Sequence, residues 1–126
     1  MFKGIERRKH PRVKFGRVEI CRASKATPAF ICDAENMSVG GLCVRLKEQL
    51  NLFTGVRLKL FLDGSAKPIE CKGKINWTMA LTSENPQPPY TYETGIQFIH
   101  LKDEHRSIIL NRVNYKLEEA KEEQTS

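Results

Sequence analysis

The chain has 126 residues, 40% of them hydrophobic and 29% charged, the size and balance of one compact domain rather than a multi-domain assembly. No apolar run approaches the roughly 18 residues that a membrane span requires, which excludes a helical membrane protein. Of the formal net charge of +6, the first 25 residues hold nine basic and two acidic side chains, so that this segment is strongly basic and the remainder near neutral. That asymmetry points to an anionic partner: a phosphate-bearing ligand, a nucleic acid, or, more blandly, only solvent around a basic tail. The opening residues turn polar after Phe2 and hold no signal-peptide apolar region, so the expected compartment is the cytoplasm, with no membrane insertion.

In chain order, residues 1–12 read as a flexible basic arm. From Val13 the pattern is that of short strands. Val13, Phe15, Val18 and Ile20 alternate around Gly16, which breaks the period and is expected to host a bulge. Ala29 to Cys32 and Gly41 to Leu46 follow, then a loop from Glu48 to Gly55. Val56, Leu58, Leu60 and Leu62 alternate up to the turn dipeptide Asp63-Gly64. Beyond it, Ile69, Cys71, Gly73, Ile75 and Trp77 share one face, with Glu70, Lys72, Lys74 and Asn76 on the other. Asn85 to Pro89 holds three prolines and must be a loop. A last strand runs from Tyr90 to about Ile99. At Asp103 the period becomes helical, with Ile109, Val113, Leu117 and Ala120 on one face and Asp103 and Glu104 in the first turn, where acids suit the helix dipole. The polar stretch from Glu118 to Ser126 is expected to fray. The expected organisation is an arm at 1–12, a small antiparallel barrel or sandwich at 13–101, and a C-terminal helix and tail at 102–126.

Catalysis and metal binding find little support. Cys21, Cys32, Cys43 and Cys71 lack C-x-x-C spacing, and His10, His100 and His105 complete no ligand set, so the cysteines are expected to be reduced core thiols and no metal site is expected. No nucleophile sits in a recognisable context and no acidic pair is evident; the chain does not read as an enzyme.

Two motifs carry the chemistry. The first is Arg7-Arg8-Lys9-His10-Pro11-Arg12, an R-x-x-x-R at Arg8 and Arg12 just ahead of the first strand. Pro11 disfavours helix at His10, leaving an extended arm on which two guanidinium groups can converge. Each can donate bidentately to guanine O6 and N7 or to phosphate, and can stack its flat face on a base. The second is Asn36-Met37-Ser38-Val39-Gly40-Gly41, between two strands. Asn36 and Ser38 can donate to a ligand or cap the turn. Gly40 and Gly41 are expected to take positive φ and bare their N–H groups to a ligand. An ordinary β-turn would use the same residues.

In this order the two motifs resemble the signature of the PilZ domain, R-x-x-x-R followed by D/N-x-S-x-x-G: here Arg8, Arg12, Asn36, Ser38 and Gly41. Gly73 with Trp77 on one strand, Gly95-Ile96-Gln97-Phe98 on the last, and a helix after it match further landmarks. The resemblance covers Arg7 to about Leu117. It implies a mainly β fold, a six-stranded antiparallel β-barrel with a C-terminal α-helix. It also implies a non-catalytic receptor for cyclic di-GMP, with no other cofactor, acting through a downstream protein partner. By the same resemblance Arg8 and Arg12 grip guanine edges and phosphates, and Arg7 contacts a second, stacked ligand. Asn36, Ser38, Gly40 and Gly41 hold another edge, and Trp77 approaches a guanine. Asn36 stands where the family also uses aspartate, which removes a charge able to pair with guanine N1 and N2. Two alternatives stay beside this reading: a PilZ-like adaptor that binds no ligand, and a basic nucleic-acid-binding barrel, in which Tyr90 and Tyr92 form the only close aromatic pair available for stacking.

Overall fold

The structure is a computed structural model of the chain, and it describes residues 15–22, 28–62, 67–81 and 90–125. Arg7, Arg8 and Arg12 lie outside the described residues, as do Val13, Asp63-Gly64 and the proline loop.

Seven strands precede one helix: β1 (Gly16–Arg22), β2 (Phe30–Asp33), β3 (Asn36–Met37), β4 (Gly41–Leu46), β5 (Gly55–Leu62), β6 (Ile69–Ala80), β7 (Tyr92–Ile99) and α1 (Asp103–Thr125). They form one antiparallel sheet in the order β2-β1-β5-β6-β7-β4-β3. The six expected strands are present; the seventh is β3, two residues from inside the second motif. The sheet curls so that its two edge strands are consecutive in the chain. Ala34, between them, accepts the Phe15 N–H at 3.2 Å and donates its own N–H to Gly16 at 2.9 Å, while the next N–H, that of Glu35, donates to the Cys43 carbonyl at 2.8 Å. Two adjacent residues thus stitch the β1 side of the sheet to the β4 side and give it a barrel-like form.

The core follows from the strand period of two. Val18 and Ile20 of β1, Leu42, Val44 and Leu46 of β4, Val56, Leu58, Leu60 and Leu62 of β5, and Ile96 and Phe98 of β7 all point inward and are buried. Each such side chain contributes roughly 1.5–3 kcal/mol when buried. From α1, Ile109 is fully buried in the same cluster and Val113 packs against it, so the helix closes the core with the face its period predicts. Its polar end does not stop near Glu118: the helix continues to Thr125. His100, with φ 53°, turns the chain from β7 toward the helix, a left-handed conformation that histidine adopts more readily than most residues.

Two sequence expectations fail here. Gly16 hosts no bulge, because β1 pairs with β5 without a slip from Gly16↔Leu62 to Arg22↔Val56. Its φ of +131° and the Phe61 carbonyl lying where a Cβ would be account for the glycine. The bulge is in β6 instead. Ile75 pairs with Ile96 and Trp77 with Gly95, leaving Asn76 as the extra residue. Trp77 therefore does not share the inward face of Ile69 and Ile75, as unbroken alternation would have it. The slip turns it outward, in line with Gly95, and leaves it 40% exposed.

Candidate functional site

The second motif folds as a tight hairpin between β3 and β4. Asn36 pairs with Cys43 and Met37 with Leu42; Met37 is buried, which directs Asn36 and Ser38 outward. The Ser38 N–H donates to the Gly41 carbonyl at 2.8 Å. The Gly40 N–H donates to Ser38 Oγ at 3.1 Å, and the Gly40 carbonyl accepts the Phe98 N–H at 2.9 Å. Ser38 thus caps its own turn while keeping its hydroxyl proton for a further acceptor.

The glycines serve other ends than the sequence suggests. Among the described glycines only Gly16 has positive φ, so neither Gly40 nor Gly41 is there for left-handed backbone. The Gly40 N–H is occupied by Ser38 rather than bared. Gly41 is required by close approach, since a Cβ would collide with the Ile96 carbonyl of β7.

The strand register carries this hairpin across the sheet to Trp77. Asn36 lies opposite Cys43, Cys43 opposite Gly95, and Gly95 opposite Trp77, one row on the outer face. The indole lies over Gly95, where a Cβ would strike Trp77 Nε1 and Cε2. Together these strands enclose an open cleft of about 300 Å³, walled by Asn36, Ser38, Gly40, Gly41 and Cys43 on one side and Asn76, Trp77, Gly95 and Gln97 on the other. Five of the sequence-selected residues therefore meet in one place: Asn36, Ser38, Gly40, Gly41 and Trp77. Sequence reading missed Cys43, Asn76 and Gln97, which join the wall only through cross-strand register. The slip at Asn76 is invisible to a pattern search, because Trp77 fits the apolar alternation.

Beside the cleft, Arg45 and Glu93 pair at 3.7 Å, opposite each other in β4 and β7. A larger hollow, about 390 Å³, lies over β1, β5 and β6, but its rim mixes Glu19 and Glu70 with Arg57, Lys59 and Lys72 and contains neither motif. Of the two tyrosines, Tyr90 is exposed and Tyr92 half-buried, and neither lines the cleft. The four cysteines form no disulfide and are half-buried rather than uniformly core. Cys32 and Cys71 pack against the core, and burial pushes both thiols up to about 11, whereas Cys43 faces the cleft. No group of three or more His, Cys, Asp or Glu among the described residues is placed to hold a metal ion, and no described helix is long and apolar enough to cross a membrane.

The fold has known counterparts. The PilZ domain of YcgR from Escherichia coli, solved with c-di-GMP, superposes with a TM-score of 0.63 at 12% identity, over 94% of this chain and 97% of that one. The Bacillus subtilis inhibitor of motility (MotI/DgrA) gives 0.61 at 14% identity, over 87% of this chain and 51% of the other. MrkH from K. pneumonia gives 0.58 at 16%, over 94% and 52%. This chain therefore spans about half the length of MotI and of MrkH. At such identities the likeness establishes the fold alone. No curated protein sequence matches at a significant level. The family model of the PilZ domain matches residues 6–115, a span holding both motifs, the curled sheet and most of the helix, and the chain belongs to the PilZ domain family.

Proposed function

We propose that this domain is a non-catalytic receptor for cyclic di-GMP, which relays ligand binding to a protein partner. The observation that carries the reading is the meeting of the Asn36–Gly41 hairpin and the Trp77 indole in one open cleft. The motif residues and the aromatic platform come from distant parts of the chain and serve the same volume. An exposed indole lying over a glycine is a flat surface for a base, and stacking of this kind is worth ~1–3 kcal/mol per base. The YcgR domain, which shares this fold, was solved with the same ligand.

The arginines of the first motif supply the other half of the proposed site, and the chain is short enough to allow it. Three peptide units separate Arg12 from Phe15, at most about 10 Å of chain. The Phe15 N–H is bonded to Ala34, two residues before Asn36. By resemblance to the family signature, Arg8 and Arg12 grip phosphates and guanine edges in this reading, with Arg7 toward a second ligand molecule. Ligand phosphates relieve the mutual repulsion of the arm's cations, the arm orders against the sheet, and the ordered arm with its ligand forms the surface that a partner reads.

The test is calorimetric titration with cyclic di-GMP, with cyclic di-AMP and GTP as controls and Arg8→Ala and Arg12→Ala as variants. Saturable micromolar or tighter binding, selective for the guanine dinucleotide and weakened roughly 10- to 100-fold in each variant, is expected. Absence of binding by the folded wild-type protein refutes the receptor reading and leaves the ligand-free adaptor and the nucleic-acid-binding barrel.

A further inference from the structure

The walls of the cleft include no charged side chain among the described residues. A ligand with two phosphates and two guanines meets its charge elsewhere, and what the cleft offers is an indole face and neutral hydrogen-bonding groups. Two of these are carboxamides that neither motif contains, Asn76 and Gln97. Asparagine is depleted in strands, yet Asn76 occupies the bulge of β6, without a cross-strand partner in β7 between Ile75↔Ile96 and Trp77↔Gly95. Gln97 is exposed on the outer side of β7, in register with Gly41 and with Lys74. Both side chains are exposed, so neither is required by the core, and both reach the volume beside the Trp77 ring.

Resting on the receptor reading above, we propose that Asn76 and Gln97 are specificity-determining residues that read the Watson–Crick edge of a guanine stacked on Trp77. That edge presents one acceptor, O6, and two donors, N1–H and the N2 amino group. A single carboxamide satisfies the first two together, donating its amide N–H to O6 and accepting N1–H at its oxygen. The oxygen of the second carboxamide accepts from N2. Adenine presents one donor and one acceptor and then a C–H, so it leaves the second carboxamide oxygen unpaired in a site the ligand has dried. An unpaired polar group of this kind is what gives hydrogen-bonding sites their discrimination. The arm supplies attraction to phosphate, and the bulged strand supplies the choice of base.

The experiment is a calorimetric comparison of cyclic di-GMP with cyclic di-inosine monophosphate, which differs only in lacking the N2 amino groups. Wild type, Asn76→Ala and Gln97→Ala are titrated with both ligands, with melting curves to confirm that each variant is folded. Wild type is expected to prefer the guanine ligand by about 10-fold. One variant, lacking the N2 acceptor, binds both ligands with near-equal affinity. The other weakens both by about 5- to 10-fold and keeps the preference. A preference that survives in both variants, or that wild type never shows, overturns the assignment while leaving the receptor reading in place. Wild-type protein that takes up neither nucleotide overturns both.

Discussion

A methyl group at position 95 would occupy space held by the Trp77 indole, so the glycine of the last strand and the tryptophan of the strand beside it form one unit. Gly95→Ala should cost about 1–3 kcal/mol by overpacking if the ring holds its place, and less if the ring swings away. The crowding falls on the ring itself, so the second outcome is the one expected, and the platform is lost with it. Because Trp77 is the single tryptophan, its fluorescence reports the displacement directly, and cyclic di-GMP should quench it in wild type but not in the variant. Cys32 and Cys71 make a different residue-scale prediction. Their thiols are raised from 9.0 to about 11, by burial in both cases and additionally by Asp33 and Glu35 at Cys32. Between those values the unfolded chain has released protons that the folded chain retains, so folding stability falls as pH rises through that window. Below pH 9 the contribution is fully present. Denaturant melts at pH 8 and pH 10.5 should show a loss that shrinks in a Cys32→Ala/Cys71→Ala double variant.

Strands β4 and β5 were legible because apolar alternation in Gly41–Leu46 and Gly55–Leu62 is unbroken, and α1 because its period changes at Asp103. The bulge was not, since an aromatic residue in the apolar register looks like core whether it faces in or out. Nor was β3, which is too short to show a period and exists because Asn36 and Met37 find partners in β4. The bulge carries its own prediction. Removing one residue from a regular strand sends every side chain beyond it to the opposite face. Deleting Asn76 should not, because Trp77 would stay opposite Gly95 and Thr78 opposite Thr94, in a ladder made regular. The deletion variant should fold with Trp77 still outward, whereas deletion of Lys59 from the regular ladder of β5 should turn Leu60 and Leu62 outward and unfold the sheet. Circular-dichroism melts of the two proteins distinguish these outcomes.

At the scale of the molecule, charge and binding surface are segregated: most of the basic excess sits in the first 25 residues, and the cleft walls described here are neutral. The cleft motif could be read from sequence as a set of residue types, but its neutrality could not, because that depends on which strands register brings alongside it. Binding should therefore weaken with ionic strength only to the extent that two phosphates allow. Between about 0.05 and 0.5 M salt a fall of roughly 10-fold is expected, and a steeper one would indicate the many contacts of a nucleic acid. Arg8→Ala should flatten the dependence, and Gln97→Ala should leave it unchanged.

The stitch at Ala34 joins these scales. Phe15 hangs on the carbonyl of Ala34 and the Glu35 N–H is held by Cys43, so the point where the basic arm meets the sheet and the root of the motif hairpin are neighbouring residues. A displacement of Phe15 would reach Ala34 directly, one residue from the hairpin. Under the proposed receptor role, a partner pulling on the chain ahead of Phe15 would therefore disturb the cleft by the same movement, and ligand release and partner engagement would be coupled through Ala34.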